Sequence, residues 1–133
     1  MNEAVVTILQ GNGIQPSAQR VAVGEYVLRT EDHPSADQVW AAVRERFPMI
    51  SRATVYNTLN LFVEKKLLRE LILAEGRIVF DPNLGPHHHF IDEESGAILD
   101  VPWDAVSVDR VETLPGMDVR EYQVVMRGRR RAH

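Results

Sequence analysis

The sequence predicts an α+β fold with two domains, the first mostly helical and the second mostly β. Apolar residues recur at helical spacing as far as residue 65, and from Leu68 onward they fall into short β-prone runs. The segment 81–86 then combines Pro, Gly and Asn, a composition typical of a hinge. We therefore expect one domain over residues 1–80 and a smaller one over residues 87–133.

Capping residues divide the first domain into four helices. The first is predicted over residues 3–10, where glycines follow it. Ser17 is suited to cap the second helix, and Ser35 the third, which we expect to end at Pro48. The fourth helix is predicted over residues 52–65, with apolar residues on one side.

A hairpin is predicted directly after these helices. Runs 68–73 and 77–80 are β-prone and flank Glu75-Gly76. A winged helix-turn-helix has this order of elements, helices first and then a hairpin. Segments 35–46 and 52–65 would form its helix-turn-helix. A generic small α+β domain is the alternative interpretation.

Beyond the hinge, the pattern predicts a small β unit. Strand-like runs occupy residues 88–92, 97–101 and 120–127, with a turn at 94–96. An irregular or helical stretch is expected over residues 103–114. Two domains of this size bury little apolar surface alone, so metal binding or oligomerisation is expected to stabilise them.

Composition excludes several classes of protein. The 133 residues are 44% hydrophobic and 26% charged, as in ordinary folded domains. The absence of cysteine excludes disulfides, thiol catalysis and a Cys-ligated structural zinc. No apolar run approaches the roughly 20 residues of a membrane span, and no signal peptide is recognisable, so we expect a cytoplasmic protein with no membrane partner.

Charge is divided unevenly along the chain. Residues 1–80 carry nine basic and nine acidic residues, whereas residues 81–133 carry six basic and ten acidic ones. The second part also holds four of the five histidines. An acidic, His-rich half favours cation binding. Four arginines between 127 and 131 are expected to form a solvated, frayed tail.

The fourth helix has the features of a recognition helix. Its first two turns present polar side chains of the kinds that read base edges: Arg reads guanine and Asn reads adenine. An ordinary helix with a polar N-terminus is the alternative. The candidate DNA-binding residues are Arg20, Ser51, Arg52, Thr54, Tyr56 and Asn57.

A run of three histidines predicts a metal site. In a strand, His87 and His89 point to one face and His88 to the other. Asp100 on a neighbouring strand and Asp81 at the hinge add carboxylates, and such mixed sites suit Zn, Fe and Mn. Solvent-exposed histidines without a ligand are the competing interpretation. A catalytic metal site is a weaker rival, since no general base stands at a recognisable spacing.

Three motifs resemble the ferric uptake regulator family. They are the segment 53–59, the segment 33–37, and the spacing of Asp81, His87, His89 and Asp100. The resemblance extends from about Gly13 to Gly128. It implies a homodimeric repressor that binds a double-stranded DNA operator, with Fe²⁺ or Mn²⁺, or Zn²⁺ as a further occupant, bridging the two domains. The implied ligands are His33, Asp81, His87, His89 and Asp100.

The chain also departs from the family pattern. Asp92 and Ser95 stand where most members have the first cysteine pair of a structural zinc site, and the second pair is missing. A further metal site of some members is in doubt, because Pro86 and Tyr122 occupy two of its positions.

Two branches of the family remain open. The triple histidine and segment 111–127 resemble the iron response regulator branch, in which His87, His88 and His89 would be associated with haem. Aspartate at both carboxylate positions resembles the peroxide-sensing branch, which uses Fe²⁺ or Mn²⁺. The expectation favours an iron- or haem-responsive repressor, with a peroxide-sensing repressor as the alternative. A DNA-binding protein that needs no metal is a further rival.

Overall fold

The computed structural model describes residues 2–73 and 76–132, which form two compact units, Met1–Leu84 and Gly85–His133. Helices and small sheets together confirm the predicted α+β class. Of the predicted hairpin turn, Glu75 lies outside the described residues. Within the described ranges, no helix has the length and apolar composition that crossing a membrane requires.

Four helices form the first unit, and side-chain caps begin each of them. Ser17 accepts the backbone N–H of Arg20, and Ser35 forms a reciprocal capping box with Gln38, as the residue types predicted. The helices are α1 (Glu3–Gly11), α2 (Ala18–Val27), α3 (Ala36–Val43) and α4 (Arg52–Glu64).

Helix α3 ends earlier than expected. It stops at Val43 rather than at Pro48, because the N–H groups of Arg46 and Phe47 both bond to the Val43 carbonyl and turn the chain. The turn brings Ile50 beneath Trp40, whose indole N–H donates to the Ile50 carbonyl at 3.0 Å. This bond fixes the start of α4 against α3.

Helix α4 has a buried face and an exposed face. Val55, Leu59 and Phe62 are fully buried in the core shared by the four helices. Tyr56 and Asn57 lie on the opposite, exposed side. Burial of the apolar face therefore presents the polar residues of the first two turns outward.

A two-stranded antiparallel sheet completes the first unit. Strand β1 (Arg69–Ile72) pairs with β2 (Ile78–Asp81) in the register Arg69 to Asp81. The N–H of Phe80 donates to the carbonyl of Pro34 at 2.9 Å, just before α3 begins. That bond holds the end of β2 close to His33, which precedes Pro34.

The second unit contains a three-stranded sheet of order β4-β3-β5. The strands are β3 (His87–Asp92), β4 (Ile98–Pro102) and β5 (Val125–Gly128). Strand β3 is central, antiparallel to β4 and parallel to β5. The stretch between β4 and β5 holds only two short 3₁₀ turns, Trp103–Ala105 and Val111–Thr113.

The predicted strand over residues 120–127 is wrong in its first half. Residues 120–123 are exposed, and strand pairing begins only at Val125. Immediately before it, the Val124 N–H donates to the His88 ring rather than to a backbone carbonyl of the sheet. The Val124 carbonyl in turn accepts the His89 N–H at 3.0 Å, so a side chain and a backbone bond together hold the residue before β5.

Close packing of α1 and α2 depends on Gly24. A Cβ atom at this position would lie 2.8 Å from Cγ1 of Val5, a fully buried, stiff side chain. We expect Gly24→Ala to lower the free energy of unfolding by about 1 kcal/mol, because overpacking of about 1–3 kcal/mol exceeds the gain of about 1 kcal/mol in helix propensity. Urea unfolding of purified protein measures the difference.

The matched control is Gly11→Ala, at the end of α1. A Cβ at Gly11 has no heavy atom within 4 Å, so this variant is expected to be as stable as the wild type or slightly more stable. Equal stability of the two alanine variants would contradict the packing argument.

Candidate functional site

Strands β3 and β4 bring two buried imidazoles to one carboxylate. Nε2 of His87 and Nε2 of His89 each lie 3.5 Å from Oδ1 of Asp100. His89 and Asp100 are direct cross-strand partners, and His87 lies two residues earlier on the same face of β3. The predicted alternation of the histidines is therefore confirmed, and the interpretation as solvent-exposed histidines is wrong.

A hydrogen bond to the backbone fixes the orientation of the His87 ring. Its Nδ1 lies 2.6 Å from the carbonyl oxygen of Gly85, which can only accept a hydrogen bond, so Nδ1 carries the proton. In the neutral ring, Nε2 then presents a lone pair toward the Asp100 carboxylate. The lone pair and the carboxylate repel unless a proton or a metal ion lies between them, and the hydrogen bond from Nδ1 to a backbone carbonyl is usual for histidines that bind metal.

The first unit holds a second imidazole–carboxylate pair. Nε2 of His33 lies 3.2 Å from Oδ2 of Asp81, and both side chains are buried. The other oxygen of Asp81 accepts the N–H of Asn83 at 2.9 Å. His33 adopts a left-handed backbone conformation, with φ of 51°, which is uncommon outside glycine.

These two groups fit a divalent ion by donor type and spacing. Bonds of about 2.0–2.2 Å from imidazole nitrogen and carboxylate oxygen place neighbouring donors roughly 3–3.5 Å apart, and the observed separations are 3.2 and 3.5 Å. Imidazole with carboxylate suits Fe, Mn and Zn. Each of the five predicted ligands thus belongs to one or the other group: two ligands lie in the first unit and three in the second.

His88 has a different environment from its neighbours. It is fully buried, and its ring stacks on Trp103 with centroids 4.5 Å apart. Nδ1 accepts the Val124 N–H at 2.9 Å, and Nε2 lies 3.2 Å from the Trp103 carbonyl, to which it donates. Both ring nitrogens are used, so His88 could bind an iron atom only if one of these bonds broke.

Asp92 and Ser95 form a hydrogen-bonded turn with an arginine from the chain terminus. One oxygen of Asp92 accepts the N–H of Glu94, and the other accepts the Ser95 hydroxyl at 2.9 Å and Arg130 at 3.0 Å. The Ser95 hydrogen bond above all, helped by Glu94 and Arg130 and opposed by burial, holds the pKa of Asp92 below its usual range. The expected frayed tail is therefore wrong at Arg130.

The candidate DNA-binding residues occupy the beginning of α4 and its surroundings. Ser51 caps the helix through the N–H of Thr54, so its hydroxyl is already used there. Arg20, Thr54 and Asn57 line one polar groove of about 450 Å³ between α2 and α4. Tyr56 is 44% exposed, and Arg52 is exposed at the first position of the helix.

Sequence reasoning missed two residues beside this surface, Trp40 and Arg44. The guanidinium carbons of Arg44 and Arg52 each lie 4.4 Å from the centre of the Trp40 ring. Arg44 follows Trp40 by four residues, a spacing at which side chains meet on a helix. That spacing was the available signal, whereas the contribution of Arg52 depends on the turn between α3 and α4.

Comparison with known proteins decides the family. Residues 11–127 match the model of the ferric uptake regulator family. The chain belongs to the ferric uptake regulator family. Members of this family are metal-responsive transcriptional regulators rather than enzymes, and they bind DNA and act as dimers. The resemblance seen in the sequence is thereby confirmed at the level of the family.

Individual relatives agree with this assignment. The peroxide operon regulator of Bacillus subtilis strain 168 is 37% identical over 114 residues, which cover 86% of this chain and 77% of that protein. The solved ferric uptake regulator of Vibrio cholerae superposes with a TM-score of 0.73 at 19% identity, over 93% of this chain and 98% of that one. A zinc-bound manganese uptake regulator gives 0.72 at 19% identity, over 95% and 98%. None of these matches specifically supports the iron response regulator branch.

The Asp92 network predicts a pH-dependent contribution to stability. Its pKa is lower in the folded protein than in the unfolded chain, so the carboxylate stabilises the fold above the unfolded value of about 3.9 and loses this effect as the pH falls through the folded value. We expect Asp92→Asn to be less stable than the wild type at pH 7, with a difference that shrinks below about pH 4. Urea unfolding from pH 7 to acid measures it.

Asp109→Asn is the control. Its carboxylate is highly exposed, and its ion pair with the adjacent Arg110, at 3.7 Å, lies on the surface, where such pairs contribute little to stability. This variant is expected to match the wild type throughout. A deficit for Asp92→Asn that stays constant across the whole pH range would contradict a role for its charge.

Proposed function

We propose that the chain is a DNA-binding repressor gated by one divalent metal ion. Its ligands are His33, Asp81, His87, His89 and Asp100. The observation that carries this proposal is the convergence of two buried imidazole nitrogens on one oxygen of Asp100. The buried pair of His33 and Asp81 supplies the remaining donors.

The two donor groups belong to different units of the chain, which gives the ion its regulatory role. When bound, the ion supplies the positive charge that both groups share. The hydrogen bond to Gly85 orients the His87 ring, and the left-handed backbone at His33 orients the His33 ring. With the ion bound, these two ligands would hold the two units at one angle. In a homodimer that angle sets the distance between two copies of α4, and only one distance matches the half-sites of a double-stranded operator.

Metal and DNA are therefore coupled ligands. An ion that binds the DNA-competent arrangement more tightly shifts the protein toward it, and DNA must raise the metal affinity by the same factor. Neutralisation of Asp81 and Asp100 also reduces repulsion from the phosphates. On the DNA side, the exposed first turns of α4, with Tyr56 and Asn57, enter the major groove, and Arg20 and Thr54 lie beside them.

A peroxide-sensing repressor is the second candidate function. It is favoured by relatives named as peroxide regulators and by the His and Asp donors, which suit Fe²⁺ and Mn²⁺. Sensing by haem through the His87–His89 run has weaker support, because both ring nitrogens of His88 are already bonded. We therefore rank the peroxide sensor ahead of the haem sensor, which reverses the order that the sequence favoured.

Two measurements on the same protein preparation distinguish peroxide sensing from haem sensing. Protein loaded with Fe²⁺ and treated with peroxide is expected to gain one oxygen on His33 or His87, detected by mass spectrometry. Haem titration of the metal-free protein is expected to give no Soret shift that depends on His88. A specific haem spectrum without histidine oxidation would favour the haem sensor instead.

Loss of one ligand is expected to uncouple metal from DNA. The operator is first selected from random duplex DNA with Mn²⁺ present. His89→Ala removes a fully buried donor, and we expect at least a 10- to 100-fold loss of Mn²⁺ affinity, since even the outer partners of ligands contribute that much. Operator binding should then no longer respond to Mn²⁺ or to a chelator.

Asp104→Asn serves as the control, because it removes a nearby exposed carboxylate that belongs to neither donor group. Its Mn²⁺ response should equal that of the wild type. Metal-independent binding by the wild-type protein would contradict the gating proposal and leave a DNA-binding protein that needs no metal.

Base recognition is expected to depend on the second turn of α4. Asn57→Ala or Tyr56→Ala should weaken operator binding by about 10- to 100-fold, the scale of one base contact, and leave binding to random DNA unchanged. Asn60→Ala, exposed one turn farther along α4, is the matched control. If the Tyr56 and Asn57 variants both bound the operator as tightly as the Asn60 variant and the wild type, α4 would not be the recognition helix.

A further inference from the structure

Two arginines share one aromatic ring at the beginning of α4. The guanidinium carbons of Arg44 and Arg52 each lie 4.4 Å from the centre of the Trp40 ring. The ring itself is held in place, since Trp40 is partly buried and its indole N–H donates to the Ile50 carbonyl. The three residues Trp40, Arg44 and Arg52 are called the arginine clamp below.

In the described part of the chain, no carboxylate forms an ion pair with Arg44 or Arg52, although Glu45 follows Arg44 directly in the sequence. Arg46, two residues from Arg44, by contrast pairs with Glu25 at 3.4 Å. The two guanidinium carbons are separated by at most twice 4.4 Å, because both lie that far from one point. Two like charges at this separation repel, and an anion in contact with both would remove the repulsion.

Phosphate is the anion that this arrangement suits best. A guanidinium is a planar fork that donates two parallel hydrogen bonds to phosphate, and stacking on an aromatic ring holds the plane while leaving its N–H edges outward. Arg52 also stands at the first position of a 13-residue helix, whose N-terminus favours negative charge. Each DNA strand offers a phosphate about every 3.4 Å of helix axis, so neighbouring phosphates can reach both arginines.

We propose that the arginine clamp binds backbone phosphates of one DNA strand at the edge of the groove that α4 enters. The inference rests on the proposed DNA-binding function and assigns phosphate contacts and base contacts to different residues of the first unit. Arg52, considered from the sequence as a reader of guanine, instead positions the helix together with Arg44. Base reading is left to residues of the second turn.

The test compares Arg44→Ala and Arg52→Ala with Arg46→Ala, which removes the same charge from an exposed side chain nearby. Affinity is measured over a series of KCl concentrations with two duplexes of equal length, the selected operator and a random sequence. A phosphate contact changes the slope of log K against log salt by about 0.9 per contact, whereas a base contact does not. Circular dichroism checks that each variant is folded.

We expect both clamp variants to lose affinity by the same factor on the two duplexes and to show a shallower salt slope, while Arg46→Ala keeps the wild-type slope. A loss confined to the operator in Arg52→Ala would make Arg52 a base reader and overturn the clamp. A slope for Arg44→Ala equal to that of Arg46→Ala would overturn it as well. If the wild-type protein bound neither duplex, the proposed function itself would fail, an outcome distinct from both.

Discussion

The constraint on which the second unit depends is the burial of three consecutive histidines in its central strand. Burial favours partners for both nitrogens of an imidazole ring, because an unsatisfied polar group in the interior costs about 1–3 kcal/mol. Strand alternation divides the task between the two faces of β3. His88 is satisfied by the backbone at Val124 and Trp103, whereas His87 and His89 face the carboxylate of Asp100. One face of β3 thereby contacts the backbone, and the other carries the side chains that we propose hold a cation.

The same need for partners explains how a small unit without cysteine holds its C-terminal segment. The stretch between β4 and β5 contains little regular structure, so few backbone bonds fix it. The C-terminal segment is held by backbone bonds from His89 to Val124 and from Glu93 to Gly128, and two side-chain contacts of long sequence separation add to them: the His88 ring binds Val124, and Asp92 binds Arg130. Each lies at one end of β5 and joins it to β3. Charge-assisted bonds from arginine to a buried carboxylate are among the stronger hydrogen bonds.

Features set by local sequence were predictable. The caps at Ser17 and Ser35, the amphipathic face of α4 and the alternation of His87 and His89 depend on residues a few positions apart. Contacts between distant positions were not predictable. The His88–Val124 bond joins residues 36 positions apart and the Asp92–Arg130 pair 38 apart, so the expected strand over residues 120–127 and the frayed tail were both partly wrong. No local pattern encodes these pairings.

The anion-binding surface that we propose for the first unit arises without a net positive charge. Residues 1–80 carry equal numbers of basic and acidic residues, so long-range attraction to DNA is weak and the effect has to be local. Trp40 brings two guanidinium groups together at the start of α4, and a third, that of Arg46, pairs with Glu25 instead. One proposed clamp contributes few contacts, so tight DNA binding would require both copies in a dimer to be correctly spaced. Weak local binding thus makes the repressor depend on the spacing that the metal ion is proposed to control, and a strongly basic unit would bind DNA regardless of the metal.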